Sequence, residues 1–281
     1  MSQLIDCYEL RASLKALDNL IIFDCRYDLQ NPDLGFVQYQ RDHIPTAHYL
    51  NLARDLSGPH HPGKTGRHPL PDPDDLRQRL GDLGVGPDSS VVAYDDGSGA
   101  YACRLWWLLR WLGHTKVLVL DGGYQRWQSL RYPVSSSVST PTPQTLPRRQ
   151  DLTRQVNAEQ VLDHSPIRKL IDVRAPSRYR GEDEPLDPVA GHIPGAQNLP
   201  FLENLTDGVF KTADDLAIQF EALGCRQTDD IVCYCGSGVT ATQMIFAFIE
   251  AGFNEPALYP GSWSDWITQS DRPVVTGADH R

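Results

Sequence analysis

Cys235 carries the clearest chemistry in the chain. It opens the run Cys235-Gly236-Ser237-Gly238-Val239-Thr240. Before it, Ile231-Val232-Cys233-Tyr234 is apolar, too short for a helix and bounded by Asp229 and Asp230, so the pattern predicts a buried strand. From Ala241 onward Met244, Ile245, Phe248 and Ile249 recur at helical spacing, which predicts a helix. Two glycines let the short connection between them curl tightly. Amides of such a curl, with the unpaired N–H groups of a helix start, converge on one anion-sized spot. A thiol pKa of about 8.5 falls to roughly 3.5–7.5 at such a helix start, and the thiolate is the reactive form. Most cysteines are small buried hydrophobes. A strand end followed by Gly-x-Gly and a helix sets Cys235 apart as a nucleophile.

Other constellations carry less. Cys7, Cys25, Cys103, Cys225 and Cys233 are too sparse among 281 residues for a disulfide framework and suit a reducing compartment. Cys233-x-Cys235 has no Cys-x-x-Cys or His pair to complete a ligand set, so no metal is expected. A net charge of −10, with no basic cluster longer than Arg148-Arg149, argues against nonspecific nucleic-acid binding. No run approaches the roughly 18 apolar residues of a membrane span. The N-terminus lacks the basic and apolar regions of a signal peptide, which makes a cytoplasmic location the expectation.

The elements that must position the loop occur twice. Ile21-Ile22-Phe23-Asp24-Cys25-Arg26 is echoed by Leu170-Ile171-Asp172-Val173-Arg174, 148 residues on, and His43-Ile44-Pro45 by His192-Ile193-Pro194. Val91-Val92-Ala93-Tyr94-Asp95 is echoed by Ile231 to Cys235, and Asp121-Gly122-Gly123 with Trp127 by Pro260-Gly261-Ser262 with Trp266. Matches in one order, so far apart, mean a duplicated domain rather than a solenoid, whose periods run roughly 20–50 residues. Strands are predicted near 21–25, 91–95 and 117–120, and helices near 73–83 and 100–112. This alternation indicates α/β domains with a mainly parallel sheet flanked by helices. Ser135 to Pro147 is rich in Ser, Thr and Pro and lacks periodicity, which reads as a linker. The expected domains are 1–137, without catalytic function, and 154–281, catalytic, joined by a linker over 138–153. Cys235 then falls at the carboxyl end of a strand, where open α/β sheets bind ligands.

The first half holds Asp95 at the nucleophile's position. A carboxylate there repels an anionic substrate and is no sulfur nucleophile, so that half is expected to be inactive and to wall the site. Trp106, Trp107 and Trp111 fit an interdomain or core face better than a stacking platform.

Two halves with Asp-x-Arg, then His-Ile-Pro, then a loop with a cysteine in the second copy, and a terminal Trp resemble the tandem rhodanese-type sulfurtransferases over nearly the whole chain. The loop Cys235 to Thr240 is similar to the version found in 3-mercaptopyruvate sulfurtransferases; thiosulfate-specific relatives carry basic residues after the cysteine. The resemblance implies that Cys235 cycles between thiolate and persulfide, cradled by the amides of Gly236, Ser237, Gly238, Val239 and Thr240. It implies that Arg178 binds the substrate carboxylate. It also implies a Ser–His–Asp relay using Ser237 and His68, the latter in Arg67-His68-Pro69-Leu70-Pro71. Asp172 and Arg174 match the family's strand-end pair and are read as structural, tying the loop that His192 closes. The chain departs from the pattern twice. The family's second substrate arginine is missing from Asp183-Glu184-Pro185-Leu186-Asp187, and the relay's acidic member has no match, Asn51 and Ala53 standing at its positions with Asp55 nearby.

The expected activity is sulfur transfer through a Cys235 persulfide, from a small donor to a thiol acceptor (thioredoxin-like or of low molecular weight) or to cyanide, with no cofactor. Covalent catalysis of this kind gives ping-pong kinetics. Thiosulfate leaves as sulfite and needs positive charge, whereas mercaptopyruvate leaves as an enolate and needs a proton. A loop offering the Ser237 hydroxyl and no cation favours mercaptopyruvate. A thiosulfate:cyanide transferase and a sulfur-relay or binding module for a protein partner are the alternatives. Cysteine phosphatases share the strand–loop–helix but use Cys-x5-Arg, and Ala241 stands where that arginine would be.

Overall fold

The computed structural model describes residues 2–14, 19–163 and 168–278, which form two compact α/β units. The first unit comprises Met1–Gly58, Leu70–Leu152 and Asp207–Phe210; the second comprises Pro59–Pro69, Thr153–Thr206 and Lys211–Arg281.

In the first unit, β1 (Leu4–Ile5), α1 (Cys7–Ser13), β2 (Leu20–Asp24), α2 (Leu34–Arg41) and β3 (His48–Tyr49) are followed by α3 (Pro73–Asp82), β4 (Ser90–Tyr94), α4 (Ala100–Trp111), β5 (Val117–Leu120) and α5 (Gly123–Ser129). Among the described residues the strands form one parallel sheet in the order β1-β5-β4-β2-β3. The start of α3 shows why its sequence folds locally. Pro73 opens it, the Asp72 carboxylate accepts from the amides of Asp74 and Asp75, and those acids sit at the positive end of the helix dipole. Trp106 and Trp107 on α4 are fully buried, so that face belongs to the core.

In the second unit, α6 (Ala158–Leu162), β6 (Arg168–Asp172), α7 (Pro176–Arg180), β7 (Ala196–Asn198) and the 3-10 turn Phe201–Asn204 come first. The short strands β8 (Leu205–Thr206) and β9 (Val209–Phe210) follow, the latter counted with the first unit. Then come α8 (Ala213–Ala222), β10 (Asp230–Tyr234), α9 (Thr240–Glu250), β11 (Ala257–Leu258) and α10 (Ser262–Trp266). The sheet is again parallel, in the order β11-β10-β6-β7. Ile231 to Tyr234 of β10 are buried, as are Ala241 to Phe248 of α9, whose Phe248 stacks on Phe220 of α8 at 3.9 Å between ring centres. Burying such rings contributes about 1.5–3 kcal/mol each and pins the helix against the sheet.

The repeat extends to register. Asp24 lies opposite Tyr94 as Asp172 lies opposite Tyr234, so Asp95 and Cys235 leave their sheets at matching points. Two segments pack otherwise than composition suggests. Of residues 138–153, read as a linker, all but Thr153 lie along the first unit: Leu146 is buried, Gln144 N–H donates to Gly81 O at 2.8 Å and Leu152 N–H to Arg110 O at 3.1 Å. Residues 59–69 come from the N-terminal half of the sequence yet belong to the second unit, held by the Arg67 N–H to Ser264 Oγ bond of 3.0 Å. Among the described residues no helix is long and apolar enough to cross a membrane.

Candidate active site

β10 delivers Cys235 to the carboxyl end of the sheet, and the start of α10 grips its backbone. Trp263 N–H donates to Cys235 O at 3.0 Å and Ser264 N–H to Gly236 O at 2.9 Å. Cys235 N–H donates to Ser262 Oγ at 3.0 Å, and that hydroxyl donates to Tyr259 O at 2.9 Å. Ser262 adopts a left-handed backbone with φ of 54°, which a residue with a Cβ takes up at a cost. The corresponding Gly123 has φ of 55°. At Gly238, with φ of 77°, a Cβ would collide with the Pro260 carbonyl oxygen, so only glycine closes the loop there.

The curl points donors at sulfur. Gly238 N–H lies 3.1 Å and Ser237 N–H 3.4 Å from Cys235 Sγ. Burial pushes the thiol pKa up, but hydrogen bonds from the Thr240 side chain and the Ser237, Ala241 and Gly238 amides outweigh it, and the pKa falls below the ordinary thiol value. At Cys233 burial prevails, with Cys225 and Cys235 adding to it, and the thiol is pushed well up; at Cys7 burial outweighs the Arg126 charge and pushes the thiol to about 11. Of the expected cradle, Ser237, Gly238 and Thr240 reach the sulfur, joined by Ala241. Val239 opens α9 and its carbonyl accepts the Thr242 hydroxyl at 2.7 Å. Gly236 gives a bare surface on which other groups rest.

Those groups come from elsewhere in the unit. His68 Nδ1 lies 2.8 Å from Ser237 Oγ, both side chains being buried. A Cβ on Gly236 would stand 2.8 Å from Arg67 Nη2 and 3.3 Å from Arg178 Nη1, so two guanidinium groups converge beside the nucleophile. Arg178 was expected at the site from the resemblance; Arg67 was not. No basic residue follows Cys235, but Arg67 arrives with the 59–69 segment. The motif around His68 held the signal, since any fold that brings His68 to Ser237 brings its neighbour as well.

The remaining named residues are structural. Arg174 grips Asp172 with Nη2 2.6 Å from Oδ2 and donates to Gly191 O at 2.7 Å, tying down the residue before His192. His192 is fully buried, its Nδ1 2.8 Å from Tyr179 O and its ring stacked on Tyr179. Arg26, Asp24, His43 and Tyr39 repeat this arrangement in the first unit. Asp55 accepts from Asn51 N–H at 2.7 Å and Arg79 Nε at 3.0 Å. In the first unit's loop, Asp95 fills its own cradle: one carboxylate oxygen accepts from Gly97 and Gly99 N–H at 2.9 and 3.0 Å, the other from Tyr101 and Ala102 at 2.9 and 3.3 Å. An anion site occupied by the protein's own carboxylate has no nucleophile and no vacancy.

The family description "Rhodanese-like domain" matches residues 6–130 and 150–269. The chain belongs to the rhodanese family. Over 281 aligned residues this rhodanese-family chain is 47% identical to a Pseudomonas aeruginosa protein named "Probable 3-mercaptopyruvate sulfurtransferase", covering 98% of this chain and 99% of that one. It is 34% identical to the thiosulfate sulfurtransferase of Cricetulus griseus, over 83% of this chain and 80% of the other. Its fold is similar to that of the 3-mercaptopyruvate sulfurtransferase from Leishmania major, with a TM-score of 0.84 and 30% identity, over 97% of this chain and 76% of that one. Both rhodanese domains and the relationship to these enzymes make the chain a sulfurtransferase.

Proposed function

We propose that Cys235 takes the sulfur of 3-mercaptopyruvate as a persulfide and passes it to a thiol, thioredoxin-like or of low molecular weight, or to cyanide, in the cytoplasm and without a cofactor. The thiolate attacks the donor's sulfur, a Cys235 S–S bond forms and the donor's C–S bond breaks. The bonding pair of that C–S bond passes into the enolate of pyruvate, while the transferred sulfur keeps its hydrogen. The enolate then takes a proton at carbon. In the second half-reaction an acceptor thiolate attacks the outer sulfur and Cys235 leaves as thiolate. Arg178 holds the donor's carboxylate, and amides that lower the thiol pKa also receive the returning thiolate.

One observation carries the choice of donor: His68 Nδ1 lies 2.8 Å from Ser237 Oγ, two residues from the nucleophile. A hydroxyl–imidazole pair can polarise a carbonyl and deliver a proton, which the enolate needs and sulfite does not. A thiosulfate reading is favoured by a different observation, the two guanidinium groups at Gly236. Steady-state kinetics with both donors, acceptor varied, decide between them. A kcat/KM for mercaptopyruvate at least about tenfold above thiosulfate, about 1.4 kcal/mol, is expected; the reverse ratio overturns the donor. Donor-treated protein should gain about 32 Da, one sulfur, and Cys235→Ser should not. An adduct that persists in that variant, with activity, overturns the carrier.

A further inference from the structure

The guanidinium groups beside Gly236 are already partly neutralised, and the residue shared between them is Asp187. Arg178 is turned toward Glu184, with Nε 3.0 Å from both carboxylate oxygens and Nη2 2.7 Å from Oε1. The same Nη2 donates to Asp187 Oδ2 at 3.1 Å, while Arg67 Nη1 donates to Asp187 Oδ1. Asp187 thus bridges the two arginines, one oxygen to each, and its side chain is 3% exposed. Its position is built in, because Glu184 Oε1 accepts the amides of Leu186 and Asp187 at 3.1 and 3.2 Å and folds the 184–187 turn on itself. Arg174 Nη1 reaches Glu184 at 3.3 Å and joins Asp172 to the cluster. Three arginines (Arg67, Arg174, Arg178) face three carboxylates (Asp172, Glu184, Asp187), so the connected group is formally neutral.

We propose that Asp187 sets the charge of the sulfur donor, acting as a built-in counter-carboxylate between Arg67 and Arg178. The proposal rests on the sulfurtransferase reading above and extends it to donor selection. The bridge leaves the edges nearest the loop, Arg67 Nη2 and Arg178 Nη1, to meet one carboxylate of an α-keto acid. It withholds the uncompensated positive charge that a dianion such as thiosulfate requires. Arg67 then supplies the second cationic contact that Leu186 does not, and Asp187 limits what that cation can attract. Coulomb attraction in a partly buried site is steep enough for one formal charge to matter.

The test uses Asp187→Asn, which removes the charge and keeps the shape, and Asp187→Glu, which keeps the charge. Two readouts are taken on the full chain. The first is the ratio of kcat/KM for thiosulfate to that for mercaptopyruvate. The second needs no turnover: the rate of Cys235 alkylation by anionic iodoacetate divided by that by neutral iodoacetamide. Asp187→Asn should raise both ratios by about fivefold or more, and Asp187→Glu should leave both within about twofold, whatever either does to the separate rates. Arg67→Gln removes a cation and should move both ratios the opposite way, which keeps the proposal exposed if the Asn variant fails to fold. An alkylation ratio unmoved by the charge changes overturns the proposal. So does a moved alkylation ratio with an unmoved donor ratio, or an equal shift in the Asn and Glu variants, which would make geometry the cause. If wild type turns over neither donor while the alkylation ratio responds, Asp187 still sets the local charge and the donor reading has failed.

Discussion

Replacing Ser262 by alanine and by glycine separates two effects that the turn after β11 combines. The hydroxyl accepts Cys235 N–H at 3.0 Å in a fully buried position, and the backbone that carries it has φ of 54°. Ser262→Ala removes the acceptor and keeps the strained backbone. A buried N–H left without a partner costs about 1–3 kcal/mol, and that is the expected loss of stability. Ser262→Gly orphans the same N–H but relieves a left-handed penalty of roughly 1–2 kcal/mol. It adds about 0.5–1 kcal/mol of backbone entropy to lose on folding. Glycine should therefore be less damaging than alanine, by up to about 1.5 kcal/mol after both corrections. Urea unfolding of the three proteins measures the order, and the rate of persulfide formation, read in a single turnover, should fall in both variants because the nucleophile's backbone has lost a restraint. A glycine variant clearly less stable than the alanine one would refute the strain argument. Two variants indistinguishable from wild type would refute the hydrogen bond as well.

Arg178→Lys should lose about 2–4 kcal/mol in mercaptopyruvate kcat/KM, since an ammonium cannot hold Glu184 and a donor carboxylate in one plane; an unchanged value removes Arg178 from donor binding. His68→Gln should lower kcat for mercaptopyruvate by about a hundredfold, the low end of general acid–base effects, and spare thiosulfate within about threefold; equal losses would make His68 a structural residue. Alkylation of Cys235 by iodoacetamide should titrate at a lower pH than that of an unperturbed thiol, because the cradle lowers the pKa. The sign for stability follows: a depressed folded pKa stabilises the native state above the unfolded pKa and that gain is lost as pH falls through the folded value. The stability advantage of wild type over Cys235→Ser should accordingly be larger at pH 9 than at pH 6, measured by urea unfolding, and a gap independent of pH would contradict it.

What could be read from the sequence follows contact range. β4 and β10 lie within a residue of their predicted spans, and α3 and α4 end a residue short of theirs, because buried strands and amphipathic helices record their environment in consecutive residues. The Cys235 loop was legible for the same reason, its donors lying within six residues of the sulfur. Arg67 meets Asp187 across 120 positions, and no local pattern states that pairing. For the expected linker 138–153 composition told only part: Ser, Thr and Pro do suppress regular structure there, while the burial of Leu146 within the first unit is a tertiary contact that composition does not record. Asp95 was recognisable as no nucleophile, while its service as a ligand for its own loop depends on amide directions that only coordinates supply.

The membership of residues 59–69 in the second unit bears on heredity. A tandem gene whose copies were each self-sufficient could shed, shuffle or silence one without touching the other. Here the eleven codons for Pro59–Pro69 lie inside the first copy while their product serves the second. A fragment beginning at Thr153 would inherit Cys235 and the cradle but neither His68 nor Arg67. The two copies are therefore unequal in what they can lose: the first holds Asp95 where the second holds Cys235, yet removing the first would also remove His68 and Arg67 from the neighbourhood of Ser237 and Gly236.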